Sequence, residues 1–265
     1  VNEPKNKPRI VCFDIETVPD LLAARHVWPG LSNYPGLTFR GSINSVACFG
    51  WKVLDVGKRA ECLNAWDFKA WKVNINDDRE LMESVYEILK DANAVITQNG
   101  KRFDLPFIQT RLAKWKLPLL PEIKHIDTKL LMKKLSLFSN SLKYGGEFLT
   151  EERKMENEGW QLWEDVCDKK PEAMKKMTTY CKQDVVTTEA LFKRLIPFAK
   201  DLPNYNLFRN DAIECCPNCG SFEIKRDGIR VAKTKTFQRF RCGDCGTVSQ
   251  GETQRKLPKG TLRIS

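Results

Sequence analysis

The stretch "VCFDIETVPD", residues 11–20, begins as an apolar run and ends in carboxylates spaced i and i+2. Residues two apart on a strand project from the same face. "PRIVCFDIET" reads as a buried strand, so Asp14 and Glu16 stand side by side near its end. Two carboxylates that close repel each other, and burial sharpens the repulsion. A divalent cation between them removes the problem, because hard cations take oxygen ligands. For an isolated D-x-E, a strand end with a capping aspartate and a solvated glutamate is the better explanation. The decision therefore falls to the rest of the chain.

Outward from this strand, "INSVACFGWKV" (43–53) and "AECLNAW" (60–66) read as two further strands, able to form an antiparallel meander with the first. "NDDRELMESVYEILKDA" (76–92) is acidic at its start and places Leu81, Val85, Ile88 and Leu89 on one face, the pattern of an amphipathic helix. "AVITQNG" (94–100) is a short strand with a turn signal, and "DLPFIQTRLAKW" (104–115) a helix with Pro106 in its first turn. "HIDT" (125–128) is a strand leading into helical "KLLMKKL". "KPEAMKKMTTYCKQDVVTTEALFKRLIPF" (170–198) is helical from Pro171 to about Leu195. Strands first, then strands and helices in alternation, predict an α/β fold with a mixed sheet flanked by helices.

Two more carboxylates fall at informative places. Asp104 opens a helix after "QNGKRF", where an N-cap explains it if it is taken alone. Tyr180 and Asp184, in "YCKQD", are i and i+4 on the late helix and share a face. A strand-ending D-x-E, an Asp at a strand-to-helix turn and a Tyr-x3-Asp in a late helix, in that order, resemble the DEDD superfamily of 3′→5′ exonucleases. That superfamily includes polymerase proofreading domains and ribonucleases that trim 3′ ends. The resemblance spans residues 8–198 through "RIVCFDIET", "NGKRFDLPFIQTR" and "YCKQDVVTTEAL", and is nearest to the proofreading domain of family B DNA polymerases. "HIDTKLLMKK", "NSLKYGGEFL" and "GWQLWEDV" sit where such sequences place comparable segments. One branch carries His five positions before the last Asp, where this chain has Thr179; the other carries Tyr four before it, which Tyr180 matches. The two histidines, His26 and His125, are out of register. The tyrosine branch is the reading.

The resemblance implies a ribonuclease H-like fold and two Mg²⁺ or Mn²⁺ ions, about 3.5–4 Å apart in such sites. Asp14 would bridge them, Glu16 and Asp184 would help hold the ion that activates water, and Asp104 would position the other, in part through water. Tyr180 would orient the attacking water; with an ordinary pKa of about 10 it is a poor base at neutral pH. Backbone amides near Glu16 and Thr17 would meet the terminal 3′-hydroxyl. Asn99 and Phe103 are candidate substrate contacts, with a turn residue and a core aromatic as the competing readings. Glu151, Glu152, Asp165 and Asp168 read as solvated charges.

The chain's ten cysteines divide. Cys12, Cys48, Cys62, Cys167 and Cys181 are scattered, whereas Cys215, Cys216, Cys219, Cys242 and Cys245 cluster late. "CPNCG" (216–220) and "CGDCG" (242–246) are paired C-x-x-C knuckles with 22 residues between Cys219 and Cys242. This spacing fits one structural Zn²⁺ held by Cys216, Cys219, Cys242 and Cys245. A redox dithiol needs no second knuckle, and Cys215 is out of register. The intervening segment has alternating runs and a Gly turn, the pattern of a small β zinc ribbon. It carries Lys225, Arg226, Arg230, Lys233, Lys235, Arg239 and Arg241 with Phe237 and Phe240 among them, which suits phosphate contact and base stacking. It is similar to zinc ribbons of transposase-like and other DNA-associated proteins, a purely structural or protein-docking module being the alternative.

The chain's formal charge is +10, of which residues 212–265 supply 11 Lys+Arg against 5 Asp+Glu, and this favours a polyanionic partner. No run of about 18 apolar residues predicts a membrane span. "VNEPKNKPR" has no apolar stretch of a secretion signal, so a reducing, cytoplasmic setting is expected. The expected organisation is a ribonuclease H-like exonuclease domain over 1–200, a linker over 201–211, the zinc ribbon over 212–255 and a basic tail over 256–265. The expected activity is removal of nucleoside 5′-monophosphates from 3′ ends, with DNA ahead of RNA, and with a polymerase or another replication or repair protein as a partner. RNA trimming and a non-catalytic nucleic-acid-binding role are the alternatives.

Overall fold

The computed structural model describes residues 7–18, 45–57, 59–152, 155, 159–209 and 214–256. They form two compact units, one of Arg9–Phe192 and the other of the residues before Arg9 together with those from Lys193 onward. The first contains a five-stranded sheet in the order β3-β2-β1-β4-β5. Strand β1 (Ile10–Val18) pairs antiparallel with β2 (Ser45–Val53), which pairs antiparallel with β3 (Glu61–Asn64). On its other side β1 runs parallel to β4 (Ala94–Thr97), and β4 parallel to β5 (Lys124–Asp127). The helices are α1 (Lys69–Val73), α2 (Arg79–Leu89), α3 (Asp104–Lys114), α4 (Thr128–Met132), α5 (Leu142–Leu149), α6 (Trp160–Cys167) and α7 (Pro171–Leu195). Among the described residues no helix is long and apolar enough to cross a membrane.

The period of two sorts β1 onto two faces. Val11, Phe13 and Ile15 enter a core with Phe49, Trp71, Leu81, Val85, Leu89, Ile108 and Leu112, contributed by β2 and by α1 to α3. The alternate residues face α7. The Cys12 thiol donates to the Val185 carbonyl at 3.6 Å, and the Cys181 thiol donates to the Asp14 carbonyl at 3.6 Å. Gly50 pairs with Asp14, and a Cβ there would come within 2.8 Å of the Cys181 sulfur, so the helix lies directly on the strands. Burying each large apolar side chain is worth about 1.5–3 kcal/mol. A one-residue slip of β1 would exchange Phe13 for Asp14 in the core, and this fixes the register.

A buried ion pair ties the opposite face together. Asp78, just ahead of α2, accepts from the Arg111 Nη2 at 2.6 Å, the Trp115 indole at 2.6 Å and the Val46 amide at 2.8 Å. The Arg111 and Asp78 side chains are 5% and 0% exposed. Removing one partner strands the other charge, which costs about 3–5 kcal/mol. Arg111→Met should therefore lower the urea-unfolding free energy by about that amount, with α2 and α3 first to lose protection from hydrogen exchange. A loss below about 1 kcal/mol would mean that Asp78 is satisfied without Arg111.

Several elements depart from the sequence expectation. The third strand stops at Asn64, where Ala65–Asp67 form a 3₁₀ turn and Trp66 meets Trp71 edge-on, with ring centroids 5.9 Å apart. Helices α1, α5 and α6 are five to eight residues long, too short for apolar periodicity to declare them. Ser141 caps α5 by accepting from the Tyr144 amide at 3.2 Å.

The second unit contains an antiparallel sheet of β6 (Ile224–Val231), β7 (Lys235–Cys242) and β8 (Val248–Lys256), with β7 central. Ahead of it a 3₁₀ turn spans Tyr205–Phe208, and the Tyr205 amide donates to the Pro217 carbonyl at 3.0 Å.

Candidate functional site

The D-x-E of β1 and the last Asp of α7 converge. Carboxylate oxygens of Asp14, Glu16 and Asp184 lie within 4.8 Å of one another. Asp14 and Glu16 share a strand face, and Asp184 arrives from the helix packed on that face. Immediately after Glu16 the β1–β2 register shifts by a bulge, and Thr17 beyond it is buried. Bulges re-aim side chains and are common beside active sites. Asp184 is 3% exposed, and the two strand carboxylates are half-buried. Three carboxylates this close, in partly desolvated surroundings, form an oxygen donor set that fits a hard divalent cation and is costly without one.

Tyr180 lies one helical turn before Asp184, buried at 5% exposure, with its ring edge-on to Trp163 at 6.1 Å. Asp104 does not join the triad. It begins α3 and accepts from the Ile15 amide at 3.2 Å, between the two β1 carboxylates. Burial pushes its carboxyl up to about 7 against the pull of the Ile15 amide and its own amide, and Asp127 adds to the push. A nearby cation would reverse this shift.

Of the candidate substrate contacts, Asn99 occupies a left-handed turn, φ +70°, and its amide donates to Asp127 at 2.9 Å. Asp127 also accepts from the amides of Lys101 and Lys129, so this aspartate, which the sequence did not single out, organises the turn. Phe103 packs against the core and against Phe107, with ring centroids 5.7 Å apart.

In the second unit the sulfurs of Cys216, Cys219, Cys242 and Cys245 lie within 4.8 Å of one another, and Cys215 is not among them. Each knuckle closes identically. The Gly220 and Gly246 amides donate to the carbonyls of Cys216 and Cys242, both glycines at φ near +74° and +73°. A side chain at Gly220 would also meet the Tyr205 ring at 2.5 Å. A hydrogen bond from Cys219 is the main influence drawing Cys216 down to about 5, helped by the knuckle amides and opposed by burial. Four thiols so arranged fit tetrahedral zinc. On β7 the alternation puts Lys235, Phe237, Arg239 and Arg241 on one face, and pairing brings Arg230 and Lys225 beside them. Arg226 and Phe240 lie on the other face, and Lys233 is exposed in the hairpin turn. Asp227 restrains part of the basic face, accepting from Arg241 at 2.9 Å.

A third cluster was not anticipated. Cys48, Cys62 and Cys181, scattered in the sequence, bring their sulfurs within 4.8 Å of one another on the α7 side of the sheet. Hydrogen bonds from Cys181 and then Cys48 draw Cys62 down to about 5, and burial holds Cys48 well up.

A search of curated proteins gave no match. Among solved structures, the family B DNA polymerase of the hyperthermophilic archaeon Pyrobaculum calidifontis is similar over 86% of this chain, with a TM-score of 0.51 and 17% identity. The chain spans only 31% of that polymerase, and the likeness is one of fold. A family model, RNase_H_2 of the RNase_H superfamily, matches residues 60–196, about half of the chain. With its mixed sheet, flanking helices and convergent carboxylates, the chain belongs to the RNase H superfamily.

Proposed function

We propose that this protein is a metal-dependent 3′→5′ exonuclease that hydrolyses terminal phosphodiester bonds of single-stranded DNA or DNA 3′ ends and releases nucleoside 5′-monophosphates. Superfamily membership supports a nuclease function. The observation that carries the finer reading is the convergence of Asp14, Glu16 and Asp184, with Tyr180 one turn before Asp184. Mg²⁺ or Mn²⁺ bound there supplies Lewis-acid stabilisation of the charge that develops on the phosphate.

The chain's own groups do the rest. Asp14, Glu16 and Asp184 would provide the oxygens, and Asp104, one oxygen of which accepts from the Ile15 amide, would help to position a second ion. The Tyr180 hydroxyl can hold and orient the attacking water by hydrogen bonding, its ring clamped by Trp163. Backbone amides near Glu16 and Thr17, where the β1–β2 register shifts, would meet the terminal 3′-hydroxyl. Asn99 and Phe103, which precede Asp104 in the chain, are the further candidate substrate contacts. The second unit, with one structural Zn²⁺ on its four cysteines, offers the face of Lys225, Arg230, Lys235, Phe237, Arg239 and Arg241 to a nucleic-acid backbone and its bases. A DNA polymerase or other replication or repair protein is the partner this activity fits.

The deciding experiment uses 5′-labelled single-stranded DNA, RNA and tailed duplex with Mg²⁺ or Mn²⁺, resolved as a ladder. Stepwise shortening from the 3′ end of DNA, with 5′-monophosphates as product, is expected. Internal cuts alone would contradict the polarity, and shortening confined to RNA would contradict the substrate.

A further inference from the structure

On the sheet face that carries Asp14 and Glu16, three thiols converge toward the β3 edge. Cys48 sits on β2 opposite Glu16, Cys62 on the edge strand β3, and Cys181 on α7 directly after Tyr180. All three sulfurs lie within 4.8 Å of one another. Thiolates bound to one zinc at about 2.3 Å stand about 4 Å apart, so small side-chain adjustments complete the set. Cys48 and Cys181 are 0% exposed, whereas Cys62 is half-buried on the edge strand and marks the entrance.

The surroundings select the cation. Leu162, Val166, Met177 and the Tyr180 ring wall the cluster, with Met155, Met174, Trp66 and Trp163 at its border. Sulfur ligands and apolar walls suit a soft cation and reject Mg²⁺, which keeps its oxygen shell. A Cys48–Cys62 disulfide fits less well. Cys48 pairs with Asn64 and Cys62 with Gly50, so the two cysteines are diagonal on neighbouring strands. Diagonal positions stand about 7–8 Å apart, beyond the usual Cα separation of a disulfide.

We propose that Cys48, Cys62 and Cys181 form a second thiolate site that takes one thiophilic cation, Zn²⁺ or Cu⁺, and clamps β2, β3 and α7 together. Protons still on the sulfurs pass to solvent when the cation binds. The clamp lies next to Glu16 across the β1–β2 pairing and three residues before Asp184 on α7, so it ties the helix that carries Asp184 to the strand paired with the one that carries Glu16. This inference is independent of the nuclease reading, and its test reads metal content and thiol reactivity, not activity.

The full chain is reduced without oxygen, loaded with Zn²⁺ in one arm and Cu⁺ in the other, desalted, and assayed for metal per chain. Wild type is expected to hold one equivalent more than Cys62→Ser in at least one arm, and that arm names the cation. Cys167→Ser, whose thiol lies outside the cluster, should match wild type. Equal content in wild type and Cys62→Ser in both arms overturns the proposal. A second measurement needs no variant: iodoacetamide labelling of Cys62 in wild type should slow by about tenfold or more on loading, since the free thiolate is the reactive form. Unchanged labelling, or a disulfide joining two of the three cysteines in the loaded protein, overturns it as well.

Discussion

Asp14→Asn is expected to lower the rate of metal-dependent 3′-end shortening by about 10³-fold or more, equivalent to about 4 kcal/mol of transition-state stabilisation. The substitution keeps the size of the side chain and removes the charge that Asp14 contributes to the triad with Glu16 and Asp184. Asp184→Asn should act alike, because it subtracts the helix-borne member of the same set. Tyr180→Phe should be milder, about 10²-fold, since it deletes one hydroxyl and leaves the ring against Trp163. A stability measurement separates this role from a structural one. In metal-free buffer three neighbouring carboxylates repel, so Asp14→Asn should melt no lower than wild type. The opposite holds at Arg111, where the charge is paired and its removal destabilises. A folded Asp14→Asn protein that shortens DNA within tenfold of the wild-type rate would remove Asp14 from the site.

Much of this arrangement was legible in the sequence because it rests on short periods. Asp14 and Glu16 share a face by the strand period, Tyr180 and Asp184 by the helix period, and both pairs sit on long elements with apolar neighbours. The C-x-x-C knuckles were legible for a similar reason, because the local turn that gathers two thiols needs only the Gly that follows. What the sequence hid is non-local. Cys48, Cys62 and Cys181 meet only once the β2–β3 register and the seating of α7 on Gly50 are set. No local spacing encodes either, although the glycine facing the helix was the available signal. Asp127 was hidden in the same way, since its role comes from the turn of Asn99 folding back onto it. In the sequence Asp78 is one acid in an acidic helix start, whereas its partner, Arg111, lies 33 residues away.

The second large effect is expected in the other unit. If the four cysteines hold zinc, stripping it should unfold β6, β7 and β8 while β1 to β5 keep their protection from hydrogen exchange. The large apolar side chains of this sheet are exposed or only half-buried: Ile229 is 55% exposed, Val231 77% and Val248 44%. Such burial cannot offset a backbone ordering cost of about 1–2 kcal/mol per residue. Structural zinc in comparable small folds contributes about 10–16 kcal/mol of apparent binding free energy, which the unfolded chain does not gain. Cys219→Ser should reproduce the effect without a chelator, and it localises the loss to this cluster when the three-thiol site in the first unit is also stripped. Because the fold of β7 is what aligns Lys235, Phe237, Arg239 and Arg241 on one face, affinity for a single-stranded oligonucleotide should fall by about tenfold or more, or about 1.4 kcal/mol. The salt dependence of binding should flatten at the same time, because fewer phosphates are neutralised at once. Unchanged protection of β6 to β8 after metal removal would show that the sheet stands without zinc. Unchanged affinity in a Cys219→Ser protein whose ribbon has unfolded would show that this face does not touch nucleic acid.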